Sequence, residues 1–146
     1  MATVGQLLMT KGSDVWAVGP DDTVFAALQL MADKNIGAVM VLEGDRVVGI
    51  MSERDYARKV ILQQRASRST PVREIMTADV VFVRPELSLE KCLALMTDKR
   101  IRHLPVLHTD SELAGIVSIG DVVKAVIEQQ KVLINHLEDY ISGGVY

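Results

Sequence analysis

One cysteine, one tryptophan, three tyrosines and two phenylalanines in 146 residues leave little room for several architectures. With Cys92 alone, no internal disulfide framework is possible, which fits a reducing compartment. Trp16, Phe25 and Phe82 are isolated from one another and read as packing residues, so no base-stacking platform is expected. Cationic excess is also missing. The formal net charge is −3, and nonspecific nucleic-acid binding needs many cationic phosphate contacts. Apolar runs are short and broken by charges, so no membrane span is expected. Met1-Ala2-Thr3-Val4 has neither a basic start nor a sustained apolar run, so a secretory leader is not expected and a cytoplasmic location is. The chain lacks a G-x-x-x-x-G-K phosphate loop, and His103, His108, His136 and Cys92 match no zinc spacing. No metal site and no catalytic residues are expected.

What is present is a folded profile, 49% hydrophobic and 24% charged, written nearly twice. Residues Pro20 to Asp45 align with Pro85 to Asp110 at an offset of 65, and Gly49 to Val60 align with Gly115 to Val126 at 66. Shared positions include Leu28/Leu93, Met31/Met96, Ile36/Ile101 and Val41/Val106. They also include the tetrads Gly49, Ile50, Ser52, Asp55 and Gly115, Ile116, Ser118, Asp121. A two-fold repeat implies pseudo-symmetry, with shared surfaces between the halves.

Each copy gives the same order of signals. A short apolar strand, Val15 to Val18 or Val80 to Val83, precedes a proline and an N-cap, Thr23 or Ser88. Helix spacing then puts Val24, Ala27, Leu28 and Met31, or Leu89, Cys92, Leu93 and Met96, on one face, with Asp33/Lys34 and Asp98/Lys99 outward. A hairpin follows, Ala38 to Leu42 with Val47 to Met51, or His103 to Leu107 with Leu113 to Val117. A second helix begins after Ser52 or Ser118; the last one runs long, with Val126, Leu133, Leu137 and Tyr140 or Ile141 roughly in phase, to a stop at Ser142-Gly143-Gly144. Gln63 to Pro71 reads as the linker, giving units 1–66 and 67–146. One unit of this size buries barely enough apolar surface to fold alone, whereas two packed together do.

The β-α-β-β-α order, the Arg102-His103-Leu104-Pro105-Val106 strand and the paired glycine-to-aspartate segments resemble a tandem pair of cystathionine-β-synthase (CBS) domains, a Bateman module, over about residues 4 to 126. The likeness is to small stand-alone CBS-pair proteins. It implies an α/β (α+β) fold of two pseudo-symmetric units packed sheet to sheet, commonly pairing into a homodimer through their helices.

The resemblance also implies nucleotide clefts. In the family a Ser/Thr-x-x-Asp segment at the start of the second helix binds adenosine nucleotides. A carboxylate accepts both ribose hydroxyls, while a hydroxyl and free N–H groups at a helix start suit a phosphate. Here the segments are Ser52-Glu53-Arg54-Asp55 and Ser118-Ile119-Gly120-Asp121. A plain capping box is the competing reading, although such boxes favour Glu or Gln in fourth place. By resemblance, site one joins Ser52, Arg54 and Asp55 to Thr77, Val80, Ile101, Arg102 and His103, and site two joins Ser118 and Asp121 to Thr10, Val15, Ile36, Gly37 and Ala38. The sites differ. Arg54, Arg102 and His103 stand at site one where Gly120, Gly37 and Ala38 stand at site two, so site one is expected to favour phosphate charge. Arg58, Lys59 and Arg65 read as a solvated helix face.

The expected function is a regulatory module sensing AMP, ATP or NAD by conformational change and acting on an unidentified protein. S-adenosylmethionine shares the same ribose chemistry. The alternative is a structural or dimerisation module with vestigial clefts.

Overall fold

Steps of three and four along residues 24–34 and 89–99 produce the expected amphipathic helices. The computed structural model describes residues 2–12, 14–110 and 112–142, the side chain of Ser142 excepted. The elements are α1 (Val4–Lys11), β1 (Ala17–Val18), α2 (Val24–Lys34), β2 (Ala38–Glu43), β3 (Arg46–Ser52), α3 (Glu53–Tyr56), α4 (Leu89–Lys99), β4 (His103–Thr109), β5 (Glu112–Ser118) and α5 (Ile119–Ser142). The fold is the mixed helix-and-sheet class expected, in two copies. Thr23 and Ser88 cap α2 and α4 by accepting from the amides of Ala26 and Lys91. Val24, Ala27 and Met31, like Leu89, Cys92 and Met96, face inward. Asp33, Lys34, Asp98 and Lys99 are exposed.

Both hairpins form, β2 antiparallel to β3 and β4 antiparallel to β5. The leading strands are shorter than the apolar runs imply. In the first copy β1 pairs in parallel with β2 through Ala17–Met40 and Val18–Val41. In the second, Val80 to Val83 reduces to one bridge, Val83 to Val106. The cause is Pro105. Met40 N–H donates to Trp16 O at 3.1 Å, but proline at the equivalent position has no N–H to give.

The second helices also diverge. After one turn α3 widens into a π-type turn over Ala57–Ile61, whereas α5 continues for 24 residues. The glycine stop at Gly143-Gly144 lies outside the described residues. Helix α1, closed by a Thr3–Gln6 capping box, has no counterpart in the expected unit.

That leading helix reveals how the copies are joined. Val4 and Leu8 pack in the core of the second unit with Leu89, Cys92, Met96, Leu104, Val117 and Val122. Val72 and Ile75, from a short 3₁₀ turn after the linker, pack in the core of the first with Val24, Met31, Val39, Val41 and Met51. The crossing repeats bond for bond. Val4 N–H donates to Leu87 O at 2.9 Å, and Val72 N–H to Asp22 O at 2.8 Å. Gly5 N–H donates to Pro85 O at 2.8 Å, and Arg73 N–H to Pro20 O at 2.9 Å. The end of the linker is therefore built in: Thr70 is buried, its carbonyl accepting from Val24 N–H.

Two glycines permit the crossing segments to lie against the hairpins. A Cβ at Gly49 would sit 2.5 Å from Met76 Sδ and 3.0 Å from the Thr77 carbonyl oxygen; at Gly115 it would sit 2.9 Å from Leu8 Cδ2. Backbone yields less readily than the tip of a leucine. Gly49→Ala is thus expected to destabilise the protein by about 1–3 kcal/mol, and Gly115→Ala by less. Denaturant unfolding of the two variants measures this, and equal, negligible losses would contradict it.

Candidate functional site

Strand β3 runs directly into α3, and β5 into α5, so each helix start stands at the end of a hairpin. At the first, Asp55 Oδ2 accepts from Ser52 N–H at 2.9 Å and Ser52 O–H at 3.1 Å, and Asp55 N–H returns a bond to Ser52 Oγ at 3.2 Å. At the second, Asp121 Oδ2 accepts from Ser118 N–H at 2.9 Å, and Asp121 N–H donates to Ser118 Oγ at 3.1 Å. Both segments are thus reciprocal capping boxes with aspartate in fourth place.

Capping fixes the carboxylates without consuming them equally. Asp55 Oδ1 meets Thr77 Oγ1 at 3.3 Å and Lys59 Nζ at 3.0 Å, so both its oxygens are engaged. Asp121 Oδ2 meets Lys11 Nζ at 2.6 Å, while Oδ1 has no hydrogen-bond partner among the described residues. The helix-start amides are less available than expected. Glu53 N–H donates to Gly37 O at 3.0 Å and Ile119 N–H to Arg102 O at 2.8 Å. The first amide of each helix is thus already paired with a carbonyl on the strand edge of a hairpin.

A cavity lies in front of each carboxylate. The first, about 460 Å³, gathers Ser52, Arg54, Asp55, Thr77, Ile101, Arg102 and His103. The second, about 450 Å³, gathers Ile36, Gly37, Ala38, Ser118 and Asp121. Each joins one unit's helix start to the other unit's strand edge. Val80, Thr10 and Val15 do not line them. Thr10 lies on the exposed side of α1, its hydroxyl aimed at Gln6 O, and the next residue, Lys11, turns into the cleft. Val15 lies between Asp14 and Trp16, which both line the second cavity, and in extended chain the intervening side chain points away. Val80 is its equivalent in the second copy.

The residues missed from sequence are therefore near neighbours of those chosen, together with Arg100 and Lys59 at the first cleft. Trp16 is a cleft residue as well as a packing one, with Lys34 Nζ 4.2 Å from its ring centroid. Arg65, read as solvated, pairs with Glu74.

The charge contrast is stronger than the repeat comparison implied. Five basic side chains, Arg54, Arg58, Lys59, Arg100 and Arg102, line the first cleft against Glu53 and Asp55. The second has Lys11 against Asp14 and Asp121. Burial pushes the Asp121 carboxyl up, but hydrogen bonds from Lys11 and Ser118 outweigh it and hold the group below its usual range.

His103 lines both cavities rather than the first alone, and a Cβ at Gly37 would lie 3.5 Å from its ring. Burial, then the Lys11 ammonium, push its pKa below the usual 6.5, with Asp121 and Glu53 opposing and Arg102 adding to the depression. The imidazole is therefore neutral at pH 7, a donor and acceptor rather than a cation. In the unfolded chain it binds a proton at higher pH than in the folded one. Stability from this group is therefore lost as pH falls below about 6.5 toward the folded value. His103→Gln is expected to flatten the dependence of melting temperature on pH between about 7 and 5. An unchanged slope in thermal melts would contradict that role.

Two interlocked α/β units with a cleft at each helix start define a tandem-repeat module. The family model of the CBS domain matches twice, over residues 4–62 and 72–128, and the chain belongs to that family. It is 41% identical over 152 residues to the CBS domain-containing protein CBSX3, mitochondrial, of Arabidopsis thaliana, covering 97% of this chain and 73% of that protein. A solved structure of a protein with CBS domains from Burkholderia ambifaria MC40-6 superposes with a TM-score of 0.84 at 51% identity, covering 88% and 96% of the two chains. The CBS domain pair of protein MJ0100, in complex with 5′-methylthioadenosine and S-adenosyl-L-methionine, superposes with a TM-score of 0.78 over 88% and 98%. At 19% identity that likeness is one of fold. Among the described residues no helix is long and apolar enough to cross a membrane.

Proposed function

We propose that this protein senses adenosine-containing ligands, such as AMP, ATP or NAD, in the two clefts between its units. The observation supporting this most directly is the recurrence of one constellation. Each Ser–Asp helix start faces the strand edge of the other unit, with Ile101 or Ile36 to flank a base and a carboxylate to take the ribose hydroxyls. The MJ0100 pair, with the same fold, holds two adenosine-containing ligands. A ligand touching both units stabilises whichever arrangement brings those surfaces together, and that shift is the signal.

Calorimetry with AMP, ATP and NAD tests the reading. Asp55→Asn and Asp121→Asn keep a cap acceptor but lose the charge, and each is expected to weaken one site about tenfold or more. Failure of the folded protein to bind at millimolar ligand would refute it. One observation favours a second reading, a dimerisation module with empty clefts: both oxygens of Asp55 are already held by Ser52, Thr77 and Lys59. Binding at cleft one requires Lys59 to yield, and its absence there would support that alternative.

The homodimer belongs to the same proposal. Residues 130–141 of α5 are exposed all round, and a helix that short is marginal alone. Ile127, Ile134, Leu137 and Ile141 form one apolar stripe along it, with Leu137 54% exposed. A second copy would cover that stripe. Ile134→Glu with Leu137→Glu is expected to convert dimers to monomers in sedimentation, and a wild-type monomer would overturn the assignment.

A further inference from the structure

Cleft one adjoins a second cavity, about 570 Å³, between the start of α3 and the C-terminal end of α4. The two share Arg54, Arg58, Arg100, Ile101 and Arg102. Of the five arginines elsewhere, three have carboxylate partners, Arg65 with Glu74, Arg73 with Asp21 and Arg84 with Asp110, and Arg68 lies over the Phe25 ring. Among the described residues none of the four groove arginines makes a salt bridge. Arg54 donates instead to the Arg100 carbonyl at 3.2 Å, holding the guanidinium of one unit against the backbone of the other. Four like charges around one groove repel each other, and an anion seated among them relieves that repulsion.

The repeat supplies an internal control. The first unit has the same groove, lined by Met31, Ala32, Asn35, Ile36, Gly37 and Glu53 at the positions of Met96, Thr97, Arg100, Ile101, Arg102 and Ile119. No basic side chain lines that copy, and Glu53 does. The fold therefore builds the groove without arginine. Arg100 makes the point sharper, because it ends α4 in the left-handed region at φ 54°, as Asn35 ends α2. Asparagine tolerates that conformation better than most residues, and a long cationic side chain has been accepted there instead.

A guanidinium fork engages two oxygens at once, so four forks exceed what one terminal phosphate offers. Resting on the nucleotide reading of cleft one, we propose that its ligand is an adenosine phosphoanhydride, with at least two linked phosphates, whose phosphate chain lies in the four-arginine groove. Cleft two, with its single lysine and two aspartates, lacks such a track.

Titration calorimetry with adenosine, AMP, ADP, ATP, NAD and inorganic pyrophosphate tests this on the intact chain and on an Arg58→Ala/Arg100→Ala variant, both substitutions being at exposed positions. ADP and ATP are expected to bind about tenfold or more tighter than AMP, with that preference collapsing in the variant. The preference should also shrink with added salt, and pyrophosphate should compete with ATP in the wild type only. Equal affinity for AMP and ATP, or a preference that survives in the variant, overturns the proposal while leaving the nucleotide reading intact. Pyrophosphate binding without any nucleotide binding overturns the nucleotide reading and leaves an anion groove without its nucleoside. Silence from every ligand overturns both.

Discussion

Burial of four aliphatic side chains outside their own units governs this structure. Val4 and Leu8 close the second core, Val72 and Ile75 the first. Fully burying one such side chain is worth about 1.5–3 kcal/mol, so neither core is complete without its borrowed segment. The same crossing serves the clefts. Helix α1 ends at Lys11, which ion-pairs with Asp121, and the segment after Val72 leads to Thr77, which bonds Asp55. Apolar packing at one end of each segment thereby sets a polar contact at the other. The clefts are consequences of how the cores are shut.

On this shared frame the sites have diverged by charge rather than by shape. The cavities are nearly equal in size, and His103 and Gly37 contribute to both. Around the first stand arginines from both units, and around the second mostly neutral and acidic groups. A neutral imidazole between them adds no cation to either. The contrast lies on the rim of each cleft, while the Ser–Asp helix start is common to both.

Much of this was legible in sequence because it is local. Caps at Thr23 and Ser88, the helix faces and the hairpins follow from residue types within a few positions. The repeat gave the fold class and the paired Ser–Asp segments. The crossing was not legible, since nothing within residues 4–8 or 72–75 marks which distant core they complete. Neither was the loss of the second leading strand, where a single missing N–H at Pro105 acts across a long sequence separation. Lys11 and Trp16 lay one residue from Thr10 and Val15. A family resemblance locates a segment, but side-chain direction depends on helical phase and strand alternation, which shift with every residue.

The crossed segments bear on how such a chain could arise. A half-length protein with the same sequence logic would carry a leading segment that fits a second copy's core better than its own. It would have had to pair by exchanging those segments, as swapped dimers do. Joining two copies through residues 63–71 converts that exchange between molecules into one within a single chain, at a fixed effective concentration. Freed from the identity that a symmetric dimer imposes, each half could then change alone. Arg100 opposite Asn35, and Arg102 opposite Gly37, are differences that a dimer of identical halves could not hold.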